Sequence, residues 1–396
     1  MRKLTASVAA FALYANAALA ANIPLINAPL DTVQATVNSA IVNINSAITP
    51  QSMASWGNFR NLLENGALLV AQRGTAATAG GSTGAPVYVG DRWAVFTNVT
   101  SGAGYGQVAT ATPTPPPGFL NEMKVYRNSG ALTQPVCVLQ EVATNDTLSL
   151  QGQPATFSFY AQAMGGMSAD NGNVINAYIM YGTGSDEGLG TLTASPAITP
   201  AFTGINSSIT ASYTLSASAW NRYSLTGVIP TTAKEIAVAI CFTPTASGAG
   251  ATDGFAFTGT QLEQGSAASS YEFRPYGVEL TKVQRYFVQV ADLAATYTFP
   301  SSCNVAAANT TVRCSYILPV TMAKTPTVTV STATSFGIWL TAGTAGTCTT
   351  LAATASASTV TAAALTCTTG GTIALGTGTA LIGAGTAGTL AISADF

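Results

Sequence analysis

Short runs of alternating β-branched, aromatic and polar residues recur along the chain from about residue 56. Examples are residues 156–160 (TFSFY), 222–225 (RYSL) and 236–242 (IAVAICF). Clusters of Gly, Pro, Asn and Ser divide these runs, and period-two alternation between turn residues is typical of β-strands. Only residues 278–286 resemble an amphipathic helix within this region. The pattern predicts an all-β body, built as an antiparallel sandwich or a jelly roll.

Charged side chains are scarce. Lys and Arg number 14 and Asp and Glu number 16, so 8% of the 396 residues are charged, against about 25% in an ordinary soluble protein. The net charge of −2 gives no field that would attract nucleic acid, so no nucleic-acid partner is expected. The apolar content of 47% supplies material for a core and does not fit a disordered chain.

The chain contains no histidine. This excludes Ser-His-Asp and Cys-His nucleophilic sites, histidine general bases and histidine-bound metals. Two groups of carboxylates remain candidates for a catalytic or a metal site. Glu263 and Glu272 offer a glycosidase-like pair, and Asp170, Asp186 and Glu187 offer oxygen ligands for calcium without an EF-hand loop. We predict a non-enzymatic structural or binding protein with no cofactor.

Six cysteines lie at positions 137, 241, 303, 314, 348 and 367, and none forms a CxxC pair. Without histidine, that spacing does not predict a zinc site. The nearest pairs in sequence, Cys303 with Cys314 and Cys348 with Cys367, are candidates for disulfides that fasten hairpins. Buried free thiols are the alternative, because a free cysteine behaves as a small apolar residue.

The N-terminal region, residues 1–55, has two interpretations. Arg2 and Lys3 precede an apolar run over residues 4–20 that ends Ala-Leu-Ala, which is the pattern of a cleaved secretory signal. The alternative is an uncleaved apolar segment that anchors the protein to a partner. A membrane span is less favoured, because Tyr14 and Asn16 interrupt a short run.

A short helix is predicted after this segment. It starts near Pro29 and stops at Pro50, and apolar residues follow helical spacing between them. The candidate oligomerisation residues are Leu30, Val33, Val37, Ile41, Ile44 and Ile48. The stripe is compatible either with one face of a packed helix or with self-association into a homo-oligomer, for which we expect a trimer.

Several large side chains of the body have structural interpretations. Trp93 and Trp220 are predicted core residues, because burial removes a large apolar area from water. The arginines at 92, 222 and 274 are predicted to pair with Asp91, Glu263 or Glu272 at strand ends. Residues 111–118 contain four prolines and are predicted to form a stiff exposed loop.

A series of local signatures stands in a fixed order along the body. They are residues 61–74 (NLLENGALLVAQRG), 88–93 (YVGDRW), 148–161 (LSLQGQ leading into FSFYA), 220–223 (WNRY), 261–265 (QLEQG), 271–280 (YEFRPYGVEL) and 284–287 (QRYF). This series resembles the jelly-roll domain of tailed-phage virion proteins: tail fibres, appendages and head fibres. That domain is similar in architecture to carbohydrate-binding modules. The resemblance covers residues 56–287.

The resemblance implies a role in a virion. The implied partners are capsid, portal, adaptor or tail proteins and a glycan or protein on the host surface. Because virion proteins are assembled in the host cytoplasm, the resemblance favours the anchor interpretation of the N-terminus. The alternative function is a secreted glycan-binding adhesin with a cleaved signal. A capsule-degrading fibre enzyme is the third class.

Residues 288–396 are predicted to form a second β domain, a small sandwich rich in Thr, Ala and Gly. Its charged residues are Asp292, Arg313, Lys324 and Asp395. The resemblance places host recognition in such a distal domain. The aromatic residues available for a recognition surface are Tyr297, Phe299, Phe336 and Trp339.

Overall fold

The computed structural model describes residues 59–396 except 82–85, 98, 111–112, 129, 131, 191–192, 195–197, 205–207, 246–249, 291–300, 306–309, 341–344, 375–377, 385–387 and 396. The predicted N-terminal anchor, residues 1–55, lies outside this part of the chain. So do the oligomerisation candidates between Leu30 and Ile48, and the aromatic candidates Tyr297 and Phe299. These predictions stay untested.

The first part of the described chain contains fifteen strands and three α-helices. The strands are β1 (Ala76–Gly81), β2 (Val87–Tyr88), β3 (Ala94–Phe96), β4 (Val99–Ala109), β5 (Glu122–Arg127), β6 (Val136–Val142), β7 (Pro154–Met164), β8 (Val174–Gly182), β9 (Thr193–Ala194), β10 (Ile198–Thr199), β11 (Ser208–Thr214), β12 (Asn221–Val228), β13 (Glu235–Phe242), β14 (Gly254–Gln264) and β15 (Phe287–Val290). The helices are α1 (Thr144–Thr147), α2 (Met167–Asn171) and α3 (Tyr276–Gln284). The three predicted strand runs lie in β7, β12 and β13, and the predicted helix is α3.

Two six-stranded antiparallel sheets form the sandwich. The front sheet has the order β1-β4-β5-β14-β7-β12, and the back sheet has the order β11-β8-β13-β6-β3-β2. From β5 to β14 the chain crosses between the sheets in the order of a jelly roll, so β5-β14-β7-β12 face β11-β8-β13-β6. The predicted jelly-roll sandwich is therefore confirmed.

The core between the sheets consists of the inward residues of each alternating strand. Phe157, Phe159, Phe255 and Phe257 from the front sheet pack against Ile, Val and Phe residues of β8 and β13. Trp93 is fully buried in this core, and its ring meets Phe257 edge-on at 5.3 Å. Leu189 and Phe202 pack on the outer side of the back sheet.

The C-terminal domain adds eight further strands. They are β16 (Ser301–Val305), β17 (Thr311–Ile317), β18 (Thr327–Val330), β19 (Phe336–Leu340), β20 (Ala345–Ala353), β21 (Ala362–Thr369), β22 (Gly378–Gly383) and β23 (Leu390–Ser393). Six of them close into a barrel in the order β16-β17-β21-β20-β19-β22. The strands β15-β23-β18 form a three-stranded sheet. The all-β class is confirmed, and the domain predicted as a small sandwich is a barrel with a short sheet.

A buried ionic cluster links the sandwich to the segment that follows β23, within the compact unit formed by residues 59–396. Arg92 Nη1 lies 2.7 Å from Glu141 Oε1 and 3.5 Å from Asp395 Oδ1. Arg73 forms a second ion pair with Asp395. The Arg92 guanidinium also lies over the Tyr286 ring, 3.6 Å from its centroid. The predicted pairing of Arg92 at a strand end is therefore wrong, because its side chain points into this cluster.

None of the helices in the described ranges is long and apolar enough to cross a membrane.

Candidate functional site: the outer face of the front sheet

Strand alternation divides β5 between the core and the outer face of the front sheet. Met123 and Val125 belong to the core between the sheets. Glu122, Lys124 and Tyr126 therefore point to the opposite side, because successive side chains of a strand face opposite ways. We call this outer side the front face.

The register extends the front face over five strands. Tyr105, Gln107 and Ala109 of β4 pair with Tyr126, Lys124 and Glu122 of β5. On β14, Thr258 follows Phe257, which pairs with Met123, so Thr258 is the front-face neighbour of Glu122. Thr258 pairs with Tyr160 of β7, and Tyr160 pairs with Arg222 of β12. One row across the sheet thus carries Glu122, Thr258, Tyr160 and Arg222.

Two tyrosines form an aromatic pair at one end of the front face. The ring centroids of Tyr105 and Tyr126 lie 5.0 Å apart with tilted planes, and both side chains are half-buried. Lys124 and Gln107 are the next outward residues on the same two strands, and both are half-buried. An aromatic surface beside polar groups is suited to a ligand with one apolar and one hydroxylated side.

The proline-rich loop between β4 and β5 crosses the front face. Trp220 Nε1, at the start of β12, donates a hydrogen bond of 2.7 Å to the carbonyl oxygen of Thr114. Phe119 packs on Tyr160 at 5.5 Å between centroids. Gly259 has a φ of +61° in a β-bulge, and a Cβ there would lie 2.6 Å from Phe119. The loop was predicted to be exposed, but it is only partly so, because Pro116 is buried. Trp220 is half-buried against it and is not a core residue.

Four buried polar atoms in the row beneath the loop have no hydrogen-bond partner among the described residues. The Glu122 carboxylate is fully buried, and neither of its oxygens has a hydrogen-bond partner among the described residues. The same holds for Thr258 Oγ1 and Arg222 Nε, within the described part of the chain. Buried polar atoms are nearly always hydrogen-bonded, and unpaired ones mark a place for a ligand or ordered water. The row is therefore the best candidate for a binding site on the sandwich.

Burial raises the pKa of Glu122 to about 7, and the nearby Lys124 opposes this shift. Burial and the neighbouring Glu187 raise the pKa of Glu235, the first residue of the central strand β13, to about 7 as well. Both values stand above the ordinary 4.5. The folded chain therefore holds these protons more tightly than the unfolded chain, and ionisation opposes folding.

We expect the unfolding temperature to fall as the pH rises from 5 to 8. The stabilising contribution of each protonated glutamic acid is complete below its unfolded pKa of 4.5 and is lost through about pH 7. Glu122→Gln should flatten part of this dependence, and adding Glu235→Gln should flatten it further. Thermal unfolding across the pH series measures both. An E122Q protein with the parental pH slope would contradict the raised pKa.

The polar side chains of the signatures at residues 261–265 and 271–280 form hydrogen bonds and ion pairs within the fold. The Glu272 carboxylate accepts hydrogen bonds from the backbone N–H groups of Arg60 and Asn61, each at 3.0 Å. Arg274 lies 3.3 Å from Glu272 and 3.1 Å from Glu279. Glu263 accepts hydrogen bonds from Ser269 and Gln261. The predicted pair Arg274–Glu272 is present, and both glutamates of the glycosidase alternative serve as internal acceptors.

Arg222 and Asp91 have different partners from those predicted. Arg222 Nη2 donates to Ser158 Oγ at 2.9 Å, on the neighbouring strand. Asp91 Oδ2 accepts from the backbone N–H of Gln72 at 2.7 Å and lies near Arg73. Neither side chain takes part in the strand-end ion pairs expected from the sequence.

The calcium candidate Asp170 is paired with an arginine, which also contacts Asp253. Arg127 Nη2 lies 2.8 Å from Asp170 Oδ2 and 3.1 Å from Asp253 Oδ2, and all three side chains are buried. Asp186 and Glu187 accept hydrogen bonds from Thr144 and Thr203 respectively. Among the described residues, no group of three or more cysteine, aspartate or glutamate side chains is placed to hold a metal ion.

All six cysteines are paired as disulfides. The bridges are Cys137–Cys241, Cys303–Cys314 and Cys348–Cys367. The first joins the adjacent central strands β6 and β13 of the back sheet and was not singled out from the sequence. The other two bridge β16 to β17 and β20 to β21 of the barrel.

Of the four aromatic recognition candidates, Phe336 and Trp339 lie among the described residues. Phe336 is fully buried in the barrel core, because β19 turns it inward beside Ile338 and Leu381. It is therefore not a surface residue, and that expectation is corrected. Trp339 is half-buried on the opposite side of the same strand.

The residues Tyr105, Glu122, Lys124 and Tyr126 were not identified as site residues from the sequence. A local signal exists, because polar and aromatic residues alternate with apolar ones in EMKVYR over β5. That alternation indicates which residues leave the core, but not which strands lie beside them.

No family model matches the sequence, and no curated protein matches it. Solved structures with a partial likeness include the enzymatically active domain of bacteriophage CBA120 tailspike protein 4, at 12% identity and a TM-score of 0.28 over 44% of this chain. This chain spans about a fifth of that protein's length (19%). A CBM4 structure matches at 14% identity and a TM-score of 0.25, over 47% of this chain and 97% of that one.

A third likeness is to the CBM22-1–GH10 modules of Clostridium thermocellum xylanase 10B, complexed with xylohexaose. It has 12% identity and a TM-score of 0.28, over 52% of this chain and 29% of that one. Scores this low carry no argument about function. The fold of this chain is therefore assigned from its own strand order.

Proposed function

We propose that this protein is a non-enzymatic attachment protein whose front face binds a glycan. The observation that carries this proposal is a row of buried polar atoms without a partner among the described residues, namely both Glu122 carboxylate oxygens, Thr258 Oγ1 and Arg222 Nε, beneath the proline-rich loop. A sugar ring presents hydroxyl groups that both donate and accept hydrogen bonds. It therefore suits a carboxyl group, a hydroxyl and a guanidinium in one row.

The tyrosine pair supplies the apolar part of such a site. One face of a pyranose ring exposes mainly C–H groups, and an aromatic ring covers them without losing hydrogen bonds. Tyr126 lies on the same face as the polar row, two residues along β5 from Lys124, and Tyr105 lies beside it on β4. The face thus combines a stacking surface with polar groups that fix orientation, as small-ligand sites do.

Glycan binding is tested on an array of neutral and acidic oligosaccharides, followed by calorimetry with the best-bound glycan. Tyr126→Ala should weaken binding by about tenfold, because it removes an aromatic contact and its buried area. Tyr276→Ala is the matched control, since Tyr276 is an exposed tyrosine on α3 (55%) outside the front face. Equal affinity of Y126A and the parent would contradict a site on this face.

We further propose that the protein is carried on the virion of a tailed phage. The ordered series of signatures over residues 56–287 supports this placement. The N-terminal segment would then contact capsid, portal, adaptor or tail proteins, and the helix predicted over residues 30–48 would gather a homo-oligomer, proposed as a trimer. The host-surface glycan is the partner of the front face.

A secreted adhesin is the second candidate, and the disulfides favour it. Three bridges use all six cysteines, and disulfides persist mainly in oxidising compartments outside the cytosol. The signal-like N-terminus agrees with export. Both candidates share glycan binding and differ in where the chain resides.

The mass and N-terminal sequence of the protein in density-purified particles separate the two candidates. A virion protein is expected in the particles with a chain that starts at Met1 or Arg2. A secreted adhesin is expected in the medium with a chain that starts at Ala21. Absence from particles would overturn the virion proposal.

A further inference from the structure

A polar groove lies on the outer wall of the C-terminal barrel. Its volume is about 520 Å³, within the range of about 300–1,000 Å³ typical of small-molecule sites. Six of its lining residues carry polar side chains: Ser302, Asn304, Arg313, Ser315, Thr354 and Ser356. The Cys303–Cys314 disulfide lies between the two strands that form its floor.

The register of β16 and β17 brings the floor residues together. Ser302 pairs with Ser315, and Asn304 pairs with Arg313. These four alternate with buried Val312, Cys314 and Val305, so all four face out of the barrel and are exposed. The floor therefore carries one guanidinium, one amide and two hydroxyls within two neighbouring residue pairs.

A turn after β20 forms the side wall of the groove and is fixed by hydrogen bonds. The Thr354 N–H donates to the carbonyl oxygen of Ala364 at 2.8 Å, and its hydroxyl lies 2.6 Å from the hydroxyl of Thr366. The Ala364 N–H in turn donates to Ser358 Oγ at 3.0 Å. Because β21 holds this wall in place, a ligand meets a groove whose shape is already formed.

Arg313 gives the groove a positive charge that no acidic side chain among the described residues balances. Its backbone belongs to the ladders of β17 with β16 and β21, and its exposed side chain forms no hydrogen bond or ion pair with the described residues. Asp395, the one acidic residue among the described residues from 301 to 395, is paired with Arg73 and Arg92. A guanidinium binds a carboxylate through two parallel hydrogen bonds, a geometry that neutral hydroxyl ligands do not match.

We propose that this groove binds a carboxylated sugar residue, with its carboxylate on Arg313 and its ring hydroxyls on the side chains of Ser302, Asn304 and Ser315. A carboxylate pairs with the one guanidinium of the groove, and the hydroxyl groups of a sugar ring can form hydrogen bonds with the surrounding hydroxyls and amide. This site is separate from the front face and does not depend on the function proposed for it.

The test measures binding of three acidic probes to the full chain by calorimetry: the methyl glycosides of glucuronate, galacturonate and N-acetylneuraminate. Methyl glucoside is the neutral control, because it differs from the glucuronide in carrying CH₂OH where that sugar has a carboxylate. We expect at least one acidic probe to bind more tightly than the neutral sugar. Its affinity should fall as salt is raised, because exposed charges are screened.

Arg313→Gln should weaken binding of that probe by about tenfold or more, because it removes a charge-assisted pair of hydrogen bonds. Arg313→Lys should give an intermediate loss, because lysine keeps the charge without the planar fork. Lys234→Gln is the matched control, since it removes one exposed positive charge from the sandwich domain. Arg313 is itself exposed, so these variants should fold like the parent.

Three results would overturn the proposal. They are failure of all three acids to bind, equal affinity for acid and neutral sugar, and parental affinity in R313Q. Binding of the acidic sugar by Tyr126→Ala distinguishes this groove from the front face, where Tyr126 lies. Loss of acidic-sugar binding in Y126A but not in R313Q would move the site to the front face and overturn the inference.

Discussion

Replacing Arg127 with methionine is expected to lower the free energy of unfolding by about 3–5 kcal/mol. The change removes the shared cation of Asp170 and Asp253 and leaves two buried carboxylates without it. It also removes the hydrogen bonds from Arg127 to the carbonyl oxygens of Gly250 and Leu132. Breaking a buried pair from one side is costly, because the remaining charge cannot regain its water.

Denaturant unfolding of the parent and of R127M measures this loss. Arg313→Met is the control, because it removes an exposed arginine and should cost less than about 1 kcal/mol. The triple variant R127M/D170N/D253N should recover part of the stability, since it removes both stranded charges. If R127M lost less than about 1 kcal/mol of unfolding free energy, the claim that the Arg127 network stabilises the fold would be contradicted.

Removing the Cys137–Cys241 bridge is expected to cost about 4–5 kcal/mol. The two cysteines are separated by 104 residues, and a long closed loop restricts the unfolded chain most strongly. The Cys303–Cys314 bridge spans a separation of 11, so its removal should cost about 3 kcal/mol. The comparison uses the double variants C137A/C241A and C303A/C314A under non-reducing conditions.

Urea unfolding with a reductant provides the internal check. Reduced parent and reduced C137A/C241A should then unfold at similar urea concentrations, because both lack the long-range bridge. If C137A/C241A lost no more stability than C303A/C314A, the loop-length argument would not hold for this fold.

The strands were predictable because their signal is local. Runs such as residues 156–160 and 236–242 alternate with a period of two, and each lies within a single strand, β7 and β13. The helix near residues 278–286 was equally local and lies at Tyr276–Gln284. The jelly-roll order followed from the resemblance, since alternation does not define which strands become neighbours.

The candidate site was not predictable because it depends on distant register. Glu122 and Thr258 become neighbours only when β5 pairs with β14, and no local pattern encodes that pairing. The same limit explains the error at Arg92. Its sequence neighbour Asp91 was the obvious partner, but the side chain reaches Glu141 and Asp395, which strand pairing and domain docking bring to it.

The position of β23 in the chain has a consequence for synthesis on the ribosome. This strand lies between β15 and β18 and follows both in sequence, and Asp395 just after it completes the ionic cluster on the sandwich. The jelly-roll strands β5–β14 all precede β23 in sequence, so they leave the ribosome before Asp395 can join Arg92 and Glu141 in the cluster. A nascent chain that has not yet been extended past Leu390 would leave the facing edges of β15 and β18 unpaired, and an unpaired strand edge can pair with another chain.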